Sequence, residues 1–356
     1  MRGRWPTSGP RRLWRCQVAK GYGGLAVRDA RVYTLGWEKD GDVLYCIDGD
    51  LGNVIWTSRY VCKAGPTLGS RCTPSLDRRW VFVLSRTGEL LGIDGDTGRI
   101  KWKKDLLAGE SDPAKLPRKG LASSPLVMGE LVIADVGAVV AVNKQSGDVV
   151  WRSEGFAAGY ASPVPLLCQG QDMVAVMNSD GPAVLRPDGL TLCKRSAANA
   201  ADGNGCDPLV VGQRVFCIFS GAGCGLLEPE FPNFNVIWQG KQLTSLSASP
   251  VYLNGLIFGL EGLSGQVAIT CIQADSGKIK WTGPAMDNAT MILADGKLIL
   301  LTESGELLLV STDGQGYKEL ARAKVMSGPC AAPPALAGGR LYCRNVAGDV
   351  ICVNFK

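Results

Sequence analysis

Glycine, an apolar strand, a polar turn closed by a second glycine, and then tryptophan follow one another in fixed phase along the chain. The pattern reads GDVLYCIDGDLGNVIW at 41–56, GELLGIDGDTGRIKW at 88–102, GAVVAVNKQSGDVVW at 137–151 and GQVAITCIQADSGKIKW at 265–281. Tryptophan closes it at Trp56, Trp102, Trp151, Trp238 and Trp281, and a degenerate copy, RPDGLTLC, puts Cys193 in that place. A period of roughly 45 residues marks a repeat array in which each copy is one supersecondary unit.

Two further strands precede each phrase. The first is short and marked by small residues and proline, as in RCTPSL at 71–76, ASSPLV at 122–127, YASPVPL at 160–166, CDPLVV at 206–211, SASPVYL at 247–253 and APPAL at 332–336. The second is apolar, as in ELVIADV at 130–136 or KLILLTES at 297–304. Four short strands joined by glycine turns predict a four-stranded meander, the blade of a β-propeller.

Third strands begin near Gly41, Gly88, Gly137, Gly181, Gly223, Gly265, Gly305 and Gly348, which gives eight blades. The last copy, GDVICVNFK, stops after its third strand, whereas RRLWRCQV at 11–18 is a tryptophan strand with no strands before it. The two fragments complement each other. The chain therefore predicts an all-β, eight-bladed propeller of four-stranded antiparallel blades, closed by the N-terminal strand completing the C-terminal blade. Residues 1–10 form a flexible basic leader and 11–356 a single domain. The blades fall near 20–58, 68–107, 119–156, 158–197, 204–242, 245–285, 287–323 and 328–356 plus 11–18. Trp14, Trp56, Trp102, Trp151, Trp238 and Trp281 sit on outer strands, where a large ring packs against the neighbouring blade.

Composition narrows the chemistry. With no histidine, Ser-His-Asp and Cys-His catalysis, histidine-bound zinc and C-x-x-C-H haem attachment fall away. Thirteen cysteines contain no C-x-x-C, and no metal site is predicted. Candidate disulfides are Cys62–Cys72, Cys343–Cys352 and, third, Cys206–Cys224. The +5 charge is modest and comes largely from Arg2, Arg4, Arg11, Arg12 and Arg15 in the first fifteen residues, so no nucleic-acid partner is expected. No apolar run is long enough to span a bilayer.

The turn-to-tryptophan phrase resembles that of the PQQ-enzyme repeat family, an aspartate, Thr-Gly or Ser-Gly, then tryptophan. It matches at Asp94-Gly95-Asp96-Thr97-Gly98 with Trp102 and at Ala274-Asp275-Ser276-Gly277 with Trp281, and more loosely at Asn143, Ser146, Gly147 and Trp151. Within that family the chain is similar to the envelope propellers of the BamB type and of planctomycete-type bacteria, whose W-P-x-x-G-P lead-in stands here at Trp5–Pro10. The resemblance implies a non-catalytic, monomeric scaffold of the cell envelope that recruits protein partners through rim loops and reaches the membrane through them. It implies an extracytoplasmic location if a signal sequence precedes Met1; Met1 as the true start implies a cytoplasmic one. The family's dehydrogenases use PQQ and Ca²⁺ and carry adjacent cysteines against the cofactor. This chain has no adjacent cysteines, so neither cofactor is expected, and a quinoprotein dehydrogenase is the alternative least supported.

Two places are candidates for binding. In-register alignment of the first strands brings Gly24, Thr73, Ser124, Ser162, Asp207, Ser249, Thr290 and Pro333 to one level of the axial channel. The polar members form a funnel suited to carbohydrate or another small ligand, or they bond backbone where the strands crowd. The loops Val61–Ser70, Leu107–Arg118 and Leu226–Asn235 form the second place. The last displays Phe231 and Phe234 between prolines, either as a docking tip or packed on its own blade.

Overall fold

The computed structural model describes residues 5–355 except 7–8, 64, 66–68, 109–115, 197–203, 247 and 264. Its strands form eight four-stranded antiparallel sheets, and among the described residues there is no helix long and apolar enough to cross a membrane. Blade 1 is built from Ala26–Arg28, Arg31–Glu38, Gly41–Asp48 and Val54–Val61, running outward from the axis. Blades 2 to 7 repeat the order. Second and third strands are apolar and buried on both faces, as expected for strands covered by a neighbouring blade on each side.

Blade 8 is composite. Arg12–Gln17 pairs with Asp349–Asn354, Trp14 standing opposite Cys352, and becomes the outer strand of the C-terminal sheet. Arg344 pins the same seam from inside. It is fully buried, and its Nη1 donates to the Leu35 carbonyl at 2.7 Å and to the Thr34 hydroxyl of blade 1. Burial pushes its guanidinium down to about 10. Among the described residues before the first strand, the Trp5 ring lies 5.4 Å from that of Phe355, and the Gly9 amide donates to the Pro6 carbonyl.

The docking expected of the tryptophans has a specific geometry. Five of the rings lie on the positive-φ glycine of the next blade's turn, whereas Trp281 packs edge-on against Tyr317 of blade 7. A Cβ on Gly52 would stand 2.7 Å from the Trp14 ring; on Gly98, 2.5 Å from Trp56; on Gly147, 2.6 Å from Trp102; on Gly189, 2.5 Å from Trp151; and on Gly277, 2.6 Å from Trp238. Only glycine fits there, because of both its φ and the indole above it. The indole N–H then donates to a carbonyl three residues before that glycine: Trp14 to Gly49 at 2.9 Å, Trp56 to Gly95 at 3.3 Å, Trp102 to Lys144 at 3.0 Å and Trp238 to Ala274 at 2.6 Å.

Trp151 breaks the rule for a reason visible in its neighbour. In the degenerate turn of blade 4, Gly189 donates to the Arg186 carbonyl, three residues back, where the other turns bond four residues back. That carbonyl would have received the indole. The Trp151 N–H, like that of Trp281, is buried without a partner.

None of the three proposed disulfides is present; all thirteen cysteines are free thiols. In the Arg340–Arg344 and Asp349–Asn354 pair, Cys343 faces Ile351 and Cys352 faces Tyr342. The two cysteines are one register step out of line and so point to opposite faces of the sheet. Cys343 packs against blade 7 and Cys352 against Trp14 and blade 1. Cys62 and Cys72 share one apolar cluster but are unbonded, the Cys72 sulfur lying 3.4 Å from the Leu84 amide. Cys206 instead donates to the Ala248 carbonyl at 3.2 Å, and its suggested partner Cys224 is also free.

The indole bonds yield a direct expectation. Trp102→Phe strands the Lys144 carbonyl and should cost about 1–2 kcal/mol more than Trp151→Phe, which removes a donor that has no acceptor. Urea unfolding of both variants measures the difference; equal costs would show that the indole bonds do not set the docking strength.

Candidate functional site

Six of the eight axial residues foreseen from the sequence are joined in one chain of hydrogen bonds. The Gly24 amide donates to Thr73 Oγ1 (2.8 Å), the Thr73 amide to Ser124 Oγ (3.0 Å) and the Ser124 amide to Ser162 Oγ (3.0 Å). The Ser162 amide donates to Asp207 Oδ1 (2.6 Å) and the Asp207 amide to Ser249 Oγ (3.1 Å). Each amide stands on the lead into an innermost strand and finds its acceptor on the next blade. Thr290 departs from the pattern: its hydroxyl donates across to the Ala332 carbonyl of blade 8 at 3.1 Å. The hydroxyls therefore serve as blade-to-blade clips, in accord with the requirement that enclosed backbone donors be paired. Burial pushes the Asp207 carboxyl up, opposed by its bonds from Ser162 and Ser249.

Period-two alternation places the residues two positions earlier on the same side of each lead. These, which the sequence reading did not single out, form the mouth. Tyr22, Arg71, Tyr160, Asn288 and, from a neighbouring turn, Glu303 supply the polar lining of a cavity of about 380 Å³. Ala122, Gly205 and Ala331 occupy the same level on blades 3, 5 and 8, which makes room on those sides. Because the lining comes from blades around the whole circle, the cavity lies on the axis. The Arg71 guanidinium carbon sits 4.7 Å from the Tyr22 ring centroid, a cation–π contact. Desolvation, with Arg86 nearby, pulls the Arg71 pKa down. Across the mouth, Asn288 Nδ2 donates to Glu303 Oε2 at 2.9 Å. The Tyr160 hydroxyl accepts from the Lys119 amide at 3.3 Å.

The three loops resolve differently. Parts of the first two, 64, 66–68 and 109–115, lie outside the described residues. The third is not a loop. Gly223–Glu230 and Asn233–Gly240 form a long hairpin in blade 5, and Phe231 and Phe234 are half-buried against the apolar cluster shared with blade 4. Of the two readings of that segment, packing on the fold is the one observed.

The rim itself is uneven. Each sheet ends in an outer strand with one edge unpaired. In blade 2 that strand carries Lys101, Lys103 and Lys104, and in blade 7 it carries Glu319, Arg322 and Lys324. Charges of this kind guard an edge. Blades 1 and 3 instead expose Ile55 (47%) and Val150 (55%) with their neighbours Val54 and Val149. The blade 5 strand, NFNVIWQG, has no charged residue and exposes Val236.

Eight sheets, a composite seam and indoles seated on the next blade's glycine define a closed propeller of PQQ-like repeats. A family model described as outer membrane protein assembly factor BamB matches residues 6–158 and again 39–282. The chain belongs to that family. It is similar to the outer membrane protein assembly factor BamB of Moranella endobia (strain PCIT), 22% identical over 265 residues that are 70% of this chain. The chain spans 66% of that relative's length, just under two thirds. Among solved structures it is similar to BamB from Moraxella catarrhalis, with a TM-score of 0.74 and 15% identity over 97% of this chain and 100% of that one. It is also similar to a quinohemoprotein alcohol dehydrogenase from Comamonas testosteroni, with a TM-score of 0.70 and 13% identity over 96% of this chain and 76% of that one. At such identities the structural likeness establishes the fold alone.

The axial cavity is lined by neither a tryptophan nor a cysteine pair. Among the described residues no three Asp, Glu or Cys side chains converge as metal ligands.

Two tests follow from the buried polar groups. Ser124→Ala leaves the Thr73 amide without its acceptor and should lower stability by about 1–2 kcal/mol in chemical unfolding; an unchanged midpoint would mean the clip contributes nothing. Asp135, buried at the end of a blade 3 strand, accepts only from the Gly137 amide, and burial raises its pKa to about 7. The folded protein then holds a proton that the unfolded chain releases near pH 4, so stability falls as pH rises from about 4 to about 7, by as much as ~4 kcal/mol. Asp135→Asn should flatten that slope and be more stable than the parent at pH 8; thermal melts across the range measure both.

Proposed function

We propose that this chain is a non-catalytic, protein-binding propeller of the BamB type, acting outside the cytoplasm at the cell envelope. It would engage partners at the rim, with the outer strands of blades 1, 3 and 5 as docking edges. The observation that carries this reading is the contrast along the rim. Outer strands in blades 2 and 7 are lined with charge, whereas that of blade 5 carries none and those of blades 1 and 3 open on two adjacent exposed aliphatic residues ahead of Arg59 and of Arg152 and Glu154. An extended segment of another protein can add to such an edge, its backbone supplying affinity and its alternate side chains meeting the exposed apolar residues. Family membership supports the same reading, since the matched relatives are named as outer membrane protein assembly factors. No cofactor enters it.

Site-specific photocrosslinking in an envelope extract tests the proposal. Crosslinkers at Val150 and Val236 should give discrete protein adducts, and one at Lys103 should give none. Val236→Lys, which installs the guard found in blade 2, should abolish the Val236-edge adduct while leaving the melting temperature unchanged. Identical adduct patterns from all three positions would overturn the assignment to these edges.

A further inference from the structure

We propose that the axial mouth is a binding site for a neutral saccharide of one or two rings. The cavity of about 380 Å³ lies within the size range of small-molecule sites, and such sites combine apolar lining with a few convergent polar groups. Its polar groups are of both charge signs. Arg71 stands on blade 2 and Glu303 on blade 7, the latter held by Asn288. A simple anion entering the mouth meets the Glu303 carboxylate, and a simple cation meets Arg71 with Arg86 behind it. A ligand without net charge meets neither conflict.

The kinds of group present point to hydroxyls. Guanidinium is a pure donor, carboxylate a pure acceptor, and the amide and the phenols can serve as both. A sugar offers hydroxyls that donate and accept in alternation around an apolar C–H face, and so can meet donors and acceptors within one mouth. Tyr22, already stacked with Arg71, and Tyr160 supply aromatic surface, while the small side chains of Ala122 and Ala331, with Gly205, leave the volume for a ring. The site lies one layer outward from the Thr73–Ser124–Ser162–Asp207–Ser249 clips, whose oxygens accept from the preceding blade's amides. It does not depend on the rim reading, since its residues belong to strand leads and an axial turn.

Saturation-transfer NMR and calorimetry on the full chain test this, with maltose, cellobiose and N,N′-diacetylchitobiose as probes and with acetate as an anionic, methylammonium as a cationic and glycine as a zwitterionic competitor. At least one sugar should saturate with a Kd below about 1 mM, an affinity ordinary for a small polar ligand. Arg71→Ala and Glu303→Ala should each weaken it at least tenfold, and Ile279→Ser on the rim should not change it. Thermal melts confirm that the variants are folded; should either alanine variant unfold, Arg71→Lys and Glu303→Gln take its place with the same expected direction. The proposal is overturned if none of the three sugars saturates by about 10 mM. It is equally overturned if acetate, methylammonium or glycine saturates while the sugars do not, or if sugar binding survives both axial substitutions.

Discussion

The whole ring depends on an indole lying on a glycine that belongs to someone else's blade. A blade of this kind is apolar on both faces and cannot bury either alone, so its stability is a property of its neighbours. The tryptophan on the outer strand reaches over to the turn of the next sheet, where a positive-φ glycine leaves a flat patch of backbone beneath the ring. The contact combines a large apolar burial with a directed hydrogen bond to a turn carbonyl. Distance and angle between blades are thereby fixed at the periphery, while the hydroxyl clips fix them at the axis. Two sets of contacts at different radii hold each blade against both tilt and slide.

This division explains why the architecture could be read in the sequence and the mouth could not. Glycine and tryptophan recur because the same indole-on-glycine contact is used at five of the eight blade junctions, so the pattern announces itself. Closure was equally plain: the orphan strand around Trp14 and the missing fourth strand of the last repeat have no other use. The mouth has no period. Its level carries Tyr22, Arg71, Ala122, Tyr160, Gly205, Asn288 and Ala331, a series with no regular period. It becomes visible only when the clip residues fix the register and the positions two residues upstream are read off in turn.

The misread elements have local causes. Pro229 and Pro232 made 226–235 look like a loop, yet Pro229 sits opposite Phe234 near the end of a hairpin, where a ladder tolerates proline. Cys343 and Cys352 have a spacing suited to a hairpin bridge, and a single register step sends their sulfurs to different interfaces. Of the candidate ligand groups of the axial funnel, Thr73, Ser124, Ser162, Asp207 and Ser249 accept from the preceding blade's amides, and Thr290 donates to the Ala332 carbonyl.

The seam between the N-terminal strand and blade 8 has a bearing on time as well as on shape. Arg15 bonds Asp349 across a sequence separation of 334, and Trp14, Arg344 and Tyr342 make contacts of similar span. Elsewhere the blades rest on near neighbours and can assemble in order as the chain emerges. The seam cannot: its first strand must wait with its apolar residues unpaired until the last repeat has been made. The entropic cost of so long a closure grows only as the logarithm of its length, but the waiting itself is unavoidable. Until Asp349–Asn354 is available to pair with Arg12–Gln17, this propeller is an open array with two free edges, and that pairing turns it into a ring.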